Sequence, residues 1–221
     1  MLTIVGLGPS DSKKISVGAY GVIRTAPTVF VRTARHPAVD DLIAEGVSFE
    51  SLDHLYESSD TFGEVYSRIA ETVLARAAHE DIVYAVPGHP LVGESAVEII
   101  IREARRLGVA LKIIGSESFI EASLEALMIG FDTGLKILDA LSMDEVSASN
   151  DVGNLIYQVY SKDIASDVKL RLMDSYPDDF EITVVIGAGT AAQVVETIPL
   201  YKLDRCNCDH LTTVYLPALE S

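Results

Sequence analysis

Tyr84-Ala85-Val86-Pro87-Gly88-His89-Pro90-Leu91-Val92-Gly93-Glu94-Ser95 reads as the end of a buried strand, a broken loop and the first residues of a helix. The run from Asp81 to Val86 ends an apolar, β-branched segment. Pro87, Gly88 and Pro90 then forbid continued strand pairing and hold a rigid, exposed turn. In an open parallel sheet ligands bind beyond the carboxyl ends of the strands, which makes this loop a candidate binding element. A plain strand-to-helix connection would also turn here, but two prolines around a glycine specify a shape more tightly than a connection requires.

Towards the N-terminus the same order recurs. Met1 to Leu7 reads as a buried strand, Gly6-Leu7-Gly8-Pro9-Ser10-Asp11 as a glycine turn, and residues 16–25 as a helix. Strand, glycine turn and helix form the phosphate-binding unit of dinucleotide folds. Here, however, Asp11 falls where the third glycine belongs and would repel a pyrophosphate, and Pro9 removes a backbone donor. A nicotinamide or flavin is therefore disfavoured. A second strand, Thr28 to Arg32, leads into Thr33-Ala34-Arg35-His36-Pro37. Arg32, Arg35 and His36 form the densest basic group and are candidate contacts for an anionic substrate; the alternative is a solvated surface cluster. A short strand at Phe49 to Asp53 and a helix over 61–78, with Phe62, Val65, Ile69 and Val73 as its buried stripe, complete this side.

Beyond the opening loop, Glu94 to Leu107 shows Val97, Ile100, Ile101 and Ala104 on one helical face, with Glu98 four residues before Arg102, and Gly108 ends the helix. Leu111 to Ile114 is a strand, Gly115 to Phe119 a serine-rich turn, and a helix follows to about Met128. Strand and helix alternate, which implies a mostly parallel sheet with both faces covered. The second half has strand-like runs at Leu155 to Tyr160, Ile182 to Ile186, Thr197 to Tyr201 and Thr212 to Leu216. One clear helix, Asp163 to Met173, carries Ile164, Val168 and Leu172 inward and an Asp167–Arg171 pair outward. Fewer helices per strand predict a mixed sheet. The expected architecture is α/β with two domains, 1–114 and 115–221, and a ligand cleft between them.

Composition narrows the function classes. The chain has 221 residues, 48% of them hydrophobic, and a formal net charge of -16, with the acid excess heavier in the second half. Nucleic acid and anionic membrane surfaces call for a basic footprint and are disfavoured as partners. Apolar runs are too short for a membrane span, and the sequence opens on strand-like Leu2-Thr3-Ile4-Val5 rather than a signal peptide, so a cytoplasmic location is expected. Cys206 and Cys208 lie in Arg-Cys-Asn-Cys-Asp-His, which lacks a fourth ligand for a structural zinc; free thiols and no metal are expected.

Taken together, these segments resemble the tetrapyrrole (corrin/porphyrin) methylase family over essentially the whole chain. Gly6 to Asp11 is similar to that family's N-terminal G-x-G-P-G-D turn, with Ser10 in place of a glycine. Val86-Pro87-Gly88-His89-Pro90 stands where a G-D-P loop is usual, with His89 in place of the aspartate. Ile186-Gly187-Ala188-Gly189-Thr190 and the strand Thr212 to Pro217 fall where later blocks are expected. Arg32 to Pro37, Tyr84 to Pro90 and Pro199 to Arg205 are similar to the methylase-like half of bacterial proteins fused to a MazG-type nucleotide pyrophosphohydrolase.

The resemblance implies a tetrapyrrole-methylase-like fold, S-adenosylmethionine in the cleft between the domains, and a homodimer. It implies cofactor contacts at Pro9, Gly88, His89, Val92, Ser118, Phe119, Val159, Ala188 and Thr212. Methyl transfer by in-line displacement needs positioning more than acid and base groups, and no catalytic residue is singled out. The implied function is an S-adenosylmethionine-dependent methyltransferase acting on a tetrapyrrole or another small acceptor. The alternative is an S-adenosylmethionine-binding regulatory module for a pyrophosphohydrolase domain, without turnover of its own.

Overall fold

Alternation along the strands decides the first half. In the computed structural model, which describes residues 1–219, β4 (Ile82–Val86) sends Ile82, Tyr84 and Val86 to one face and Val83 and Ala85 to the other. β2 (Val29–Val31) sends Phe30 to the first face and Val29 and Val31 to the second. Side chains with a period of two on a sheet buried on both sides give two cores from one strand set. With β1 (Leu2–Gly6), β3 (Glu50–Ser51) and β5 (Leu111–Ile114) the strand order is β3-β2-β4-β1-β5, and every pairing is parallel.

Helices cover both faces. α3 (Asp53–Glu57), α4 (Phe62–Ala77) and α5 (Ser95–Leu107) enclose the core of Leu2, Ile4, Phe30 and Tyr84. α1 (Val17–Thr25) and α2 (Pro37–Ala44) enclose the core of Val5, Val31, Val83 and Ala85. α4 starts at Thr61, whose hydroxyl accepts from Glu64 N, and buries Val65, Ile69 and Val73 on successive turns, whereas Phe62 is exposed and stacks on Tyr66. Each of those buried side chains contributes roughly 1.5–3 kcal/mol, and Ile69→Ala, at a fully buried site, would cost about 2–5 kcal/mol. α5 buries Val97, Ile100 and Ala104 and ends on Gly108 in the left-handed region, as its sequence predicts, while Ile101 is half-buried. Arg102 pairs with the adjacent Glu103 rather than with Glu98.

The chain forms two compact units, the first Met1–Phe119 and the second from Ile120 onward. In the second, β6 (Leu135–Asp139), β7 (Gly153–Tyr157), β8 (Glu181–Ile186), β9 (Val194–Pro199) and β10 (Thr212–Leu216) make a sheet of order β6-β7-β10-β8-β9. β6 and β7 are parallel and the other pairings antiparallel, the mixed sheet that the second half's rhythm predicts. α6 (Phe119–Leu127) precedes it. α7 (Lys162–Met173) and the 3-10 helix Leu200–Arg205 pack on one face, burying Val168, Leu172, Leu200 and Leu203 against Ile156, Ile182 and Val214. Arg171 pairs with Asp144 and reaches the Met143 carbonyl, so the expected Asp167–Arg171 pair does not form. Tyr201, expected at the end of a strand, lies in the 3-10 helix because β9 starts and ends earlier.

Candidate functional site

Because the first sheet is parallel, the carboxyl ends of its strands lie along one edge, and β4, β1 and β5 are adjacent there. Three loops leave that edge side by side. Gly8 and Gly88 exchange backbone hydrogen bonds of 3.2 and 2.8 Å, locking the turn after β1 to the loop after β4. Ser116 donates its hydroxyl to the Gly6 carbonyl (2.7 Å) and accepts from Ser16 N (2.9 Å), and the Ser16 hydroxyl returns to the Gly115 carbonyl (2.7 Å). Lys14 Nζ reaches both carboxylate oxygens of Glu117, at 2.9 and 2.8 Å. A Cβ at Gly115 would overlap the His89 imidazole, so a glycine there lets the ring lie against the end of β5. The ring is oriented by its own loop, Nδ1 accepting from Leu91 N at 3.1 Å.

Of the expected cofactor contacts, Pro9, Gly88, His89, Val92, Ser118 and Phe119 all lie in or directly beside these three loops. Ser118 is buried, and the others are half-buried. Val159, Ala188 and Thr212 belong to the second unit, at one end of its sheet. Thr212 pairs with Ile186, Gly187 N donates to Leu211 O at 3.1 Å, and β7 ends beside the start of β10. The Val159 side chain is fully buried in that unit's core, which leaves its backbone for any contact. Just before it Gln158 takes φ of 64°, a left-handed conformation that costs a non-glycine residue about 1–2 kcal/mol.

The basic group after β2 is split. Arg32 continues the alternation of Phe30 and so points to the face of Tyr84, where its Nη1 lies 3.0 Å from Glu94 Oε1. Glu94 is the residue just before α5, and its carboxylate caps no backbone N–H. Its side chain is 6% exposed against 28% for Arg32. Burial, partly offset by Arg32, raises the Glu94 carboxyl to about 7. For Arg32 burial opposes the charge, but attraction led by Glu94 outweighs it and the guanidinium is held more firmly protonated. The carboxyl, then, is the member of the pair that takes up a proton.

His36 and Arg35 do other work. His36 Nδ1 accepts from Ala38 N at 3.2 Å and caps α2, while burial and then Arg32 lower its pKa against the support of the Gly8 backbone, so it stays neutral near pH 7. Arg35 is turned outward, its side chain 84% exposed, at 3.9 Å from an exposed Glu57. Lys14 and Arg24 also have acidic partners, Glu117 and Glu45. Of Arg32, Arg35 and His36, expected as contacts for an anionic substrate, Arg32 is thus the half-buried cation, Arg35 faces outward and His36 caps a helix. Sequence reading missed Glu94 and the hydroxyl of Tyr84 as polar parts of this region. Their signals were a carboxylate at a helix start and a tyrosine in register with core residues Ile82 and Val86.

Elsewhere on this unit a groove of about 560 Å³ between α4 and α5, lined by Glu71, Arg102, Glu103 and Arg106 among others, opens at the opposite end of the strands and is not part of the loop cluster. Among the described residues no set of three His, Cys, Asp or Glu side chains could hold a metal ion.

Comparison with known proteins agrees with this architecture. The chain is 37% identical over 222 aligned residues to the uncharacterized protein YabN of Bacillus subtilis, an alignment covering 99% of this chain and 45% of YabN. It is 30% identical over 132 residues to a diphthine synthase of Archaeoglobus fulgidus, covering 55% of this chain and 46% of that protein. The chain thus spans about half the length of the curated relatives it matches. Among solved structures, a cobalt precorrin-4 methyltransferase of cobalamin biosynthesis superposes with a TM-score of 0.74 at 16% identity, covering 100% of this chain and 96% of that one. A uroporphyrin-III C-methyltransferase from Thermus thermophilus complexed with S-adenosyl homocysteine gives 0.70 at 16% identity, covering 99% and 97%. Likeness at that identity speaks for the fold. Residues 1–204 match the family described as Tetrapyrrole (Corrin/Porphyrin) Methylases, and the chain belongs to that family.

Proposed function

We propose that this chain is an S-adenosylmethionine-dependent methyltransferase that uses the three loops at the carboxyl edge of β4, β1 and β5. The observation that carries the reading is the mutual locking of Gly8, Gly88 and the Gly115–Ser118 turn, which presents backbone and small side chains at adjacent strand ends. A Cβ at Gly88 would have Ser118 Cα, at 4.0 Å, as its nearest neighbour, so a ligand can approach the backbone there closely. Such a surface suits a neutral or sulfonium nucleoside better than a pyrophosphate, given Pro9, Asp11 and the net charge of -16. Pro9, Gly88, His89, Val92, Ser118 and Phe119 are the proposed contacts of the first unit, and Val159, Ala188 and Thr212 those of the second. When bound, the cofactor supplies an electrophilic methyl group; the protein's part is to hold donor and acceptor in line and exclude water.

The acceptor is a small molecule, a tetrapyrrole or another compound that offers a nucleophile. Homodimerisation and a cytoplasmic location belong to the same proposal. A second reading is favoured by the alignment covering only 45% of YabN. In that reading the chain is the S-adenosylmethionine-binding part of a longer protein, a regulatory partner of a C-terminal MazG-type pyrophosphohydrolase, and has no turnover. Calorimetry with S-adenosylmethionine and S-adenosylhomocysteine, followed by an acceptor screen for methyl transfer, tests both. Binding with turnover supports the first, binding without turnover the second, and absence of binding overturns the cofactor assignment.

A further inference from the structure

The ion pair behind the β4 loop leaves two buried donors unused. Arg32 Nε–H and the Tyr84 hydroxyl are both shielded from solvent and have no hydrogen-bond partner among the described residues. Tyr84 is 0% exposed, and its hydroxyl senses both the Glu94 carboxylate and the Arg32 guanidinium. Leaving a polar group buried and unbonded costs about 1–3 kcal/mol, so two donors on the face that β2 and β4 share call for an explanation, and a ligand that accepts from both would supply one. Both lack an acceptor, and a planar guanidinium with a free edge matches an oxyanion. The exposed 28% of the Arg32 side chain is the route in, since Glu94 is closed off.

We propose that Arg32 and Tyr84 form a subsite for an oxyanion, a carboxylate or phosphate group, with Glu94 holding the guanidinium when no anion is bound. Assigning that anion to the methyl acceptor rests on the proposed function; the binding itself does not. The charge balance makes the exchange workable. Arg32 and an ionised Glu94 sum to zero, so an added anion would leave an unmatched buried negative charge. Glu94, raised to about 7, removes that penalty by taking a proton. Near neutral pH the neutral forms of Tyr56, Tyr84 and His36 around it are favoured, while one neighbouring carboxylate, Asp53, stays charged. Tyr56 on α3 is raised by burial, Tyr84 on β4 well above its ordinary value by burial, and His36 before α2 is lowered by burial and Arg32. Tyr66 on α4 is a further phenol near Arg32, and Asp53, where burial is outweighed by hydrogen bonds from Ser51 and Ala34 so that its pKa falls, faces Tyr56. Anion affinity is therefore coupled to one proton and rises as pH falls through the region around 7.

The test is an NMR titration of the full chain with sodium sulfate and, separately, sodium acetate, at constant ionic strength and without S-adenosylmethionine, following the Arg32 Nε–H resonance. Saturable shifts are expected, with affinity falling about tenfold for each pH unit above 7. A preference for sulfate identifies a phosphate-bearing ligand and a preference for acetate a carboxylate. Tyr84→Phe should weaken binding on the order of tenfold with the Tm kept, because it deletes a hydroxyl that has no partner among the described residues. Glu94→Gln should bind more tightly and lose the pH dependence. No saturable shift with either anion, affinity unaffected by Tyr84→Phe, or a pH dependence that survives Glu94→Gln would overturn the proposal. Methyl transfer enters none of these readouts, so a failed acceptor screen would leave them standing.

Discussion

Arg32 Nη1 and Glu94 Oε1 are 3.0 Å apart, joining the end of β2 to the start of α5 beneath the loop that follows β4. The pair matters because its two members respond to burial differently, the guanidinium staying charged and the carboxyl rising to about 7.

Stability against pH should carry the mark of Glu94. Its folded value lies above its ordinary 4.5, so folding favours the protonated form; the contribution is complete below 4.5 and is lost as pH rises through about 7. The full span is about 3 kcal/mol. His36 runs the other way in part of this window, its contribution being present above 6.5 and lost as pH falls. Denaturant melts of wild type and Glu94→Gln from pH 4 to 8 separate the two, since the difference profile contains Glu94 alone. A flat difference would disprove the raised carboxyl.

Arg35 should be dispensable where Arg32 is not. With an 84% exposed side chain and a long contact to an exposed partner, Arg35→Ala is expected to shift stability by less than about 0.5 kcal/mol and leave anion titrations unchanged. Arg32→Ala should abolish the anion response while the remaining carboxyl protonates. Equal effects of the two substitutions would restore a shared cation cluster.

Gly115→Ala should push the His89 ring off the end of β5, since the new methyl occupies the ring's place. Overpacking of this kind costs about 1–3 kcal/mol. Adding His89→Ala should recover most of the loss, giving a coupling in the double-mutant cycle that additive sites would lack. Additive melting shifts would mean that the two residues do not touch.

Gly88→Ala tests the cofactor proposal. Gly88 has φ of 63°, so any side chain there is strained by about 1–2 kcal/mol. Apart from its chain neighbours, no heavy atom of the described residues lies nearer than 4.0 Å to the added Cβ, and the chain should still fold. S-adenosylhomocysteine affinity, read by calorimetry, should fall at least tenfold (about 1.4 kcal/mol). Undiminished affinity in the folded variant would take the loop out of the site.

Much of this was legible in the residues. Ile82 to Val86 is an apolar, β-branched run closed by proline, and Leu111 to Ile114 alternates apolar residues with Lys112 before a glycine; strands form there because neighbours along the chain supply the signal. The helix that Gly108 ends is of the same kind. α2 and α3 went unread because each is short, and their hydrophobic faces show no sustained period. β6 carries Lys136 and Asp139 and is half-buried, so its pairing with β7 is what makes it a strand.

The amino-acid sequence by itself determined the alternation of strands and helices, the three glycine-bearing loops and the acidic charge, since backbone preference and hydrophobic period act over a few residues. Tertiary structure alone decided the chemistry of Glu94, Arg32 and Tyr84. A carboxylate's charge state depends on how much water surrounds it and which cation faces it. Both were set by strands and helices distant in the chain, when β2 paired with β4 and α3, α4 and α5 closed over that face.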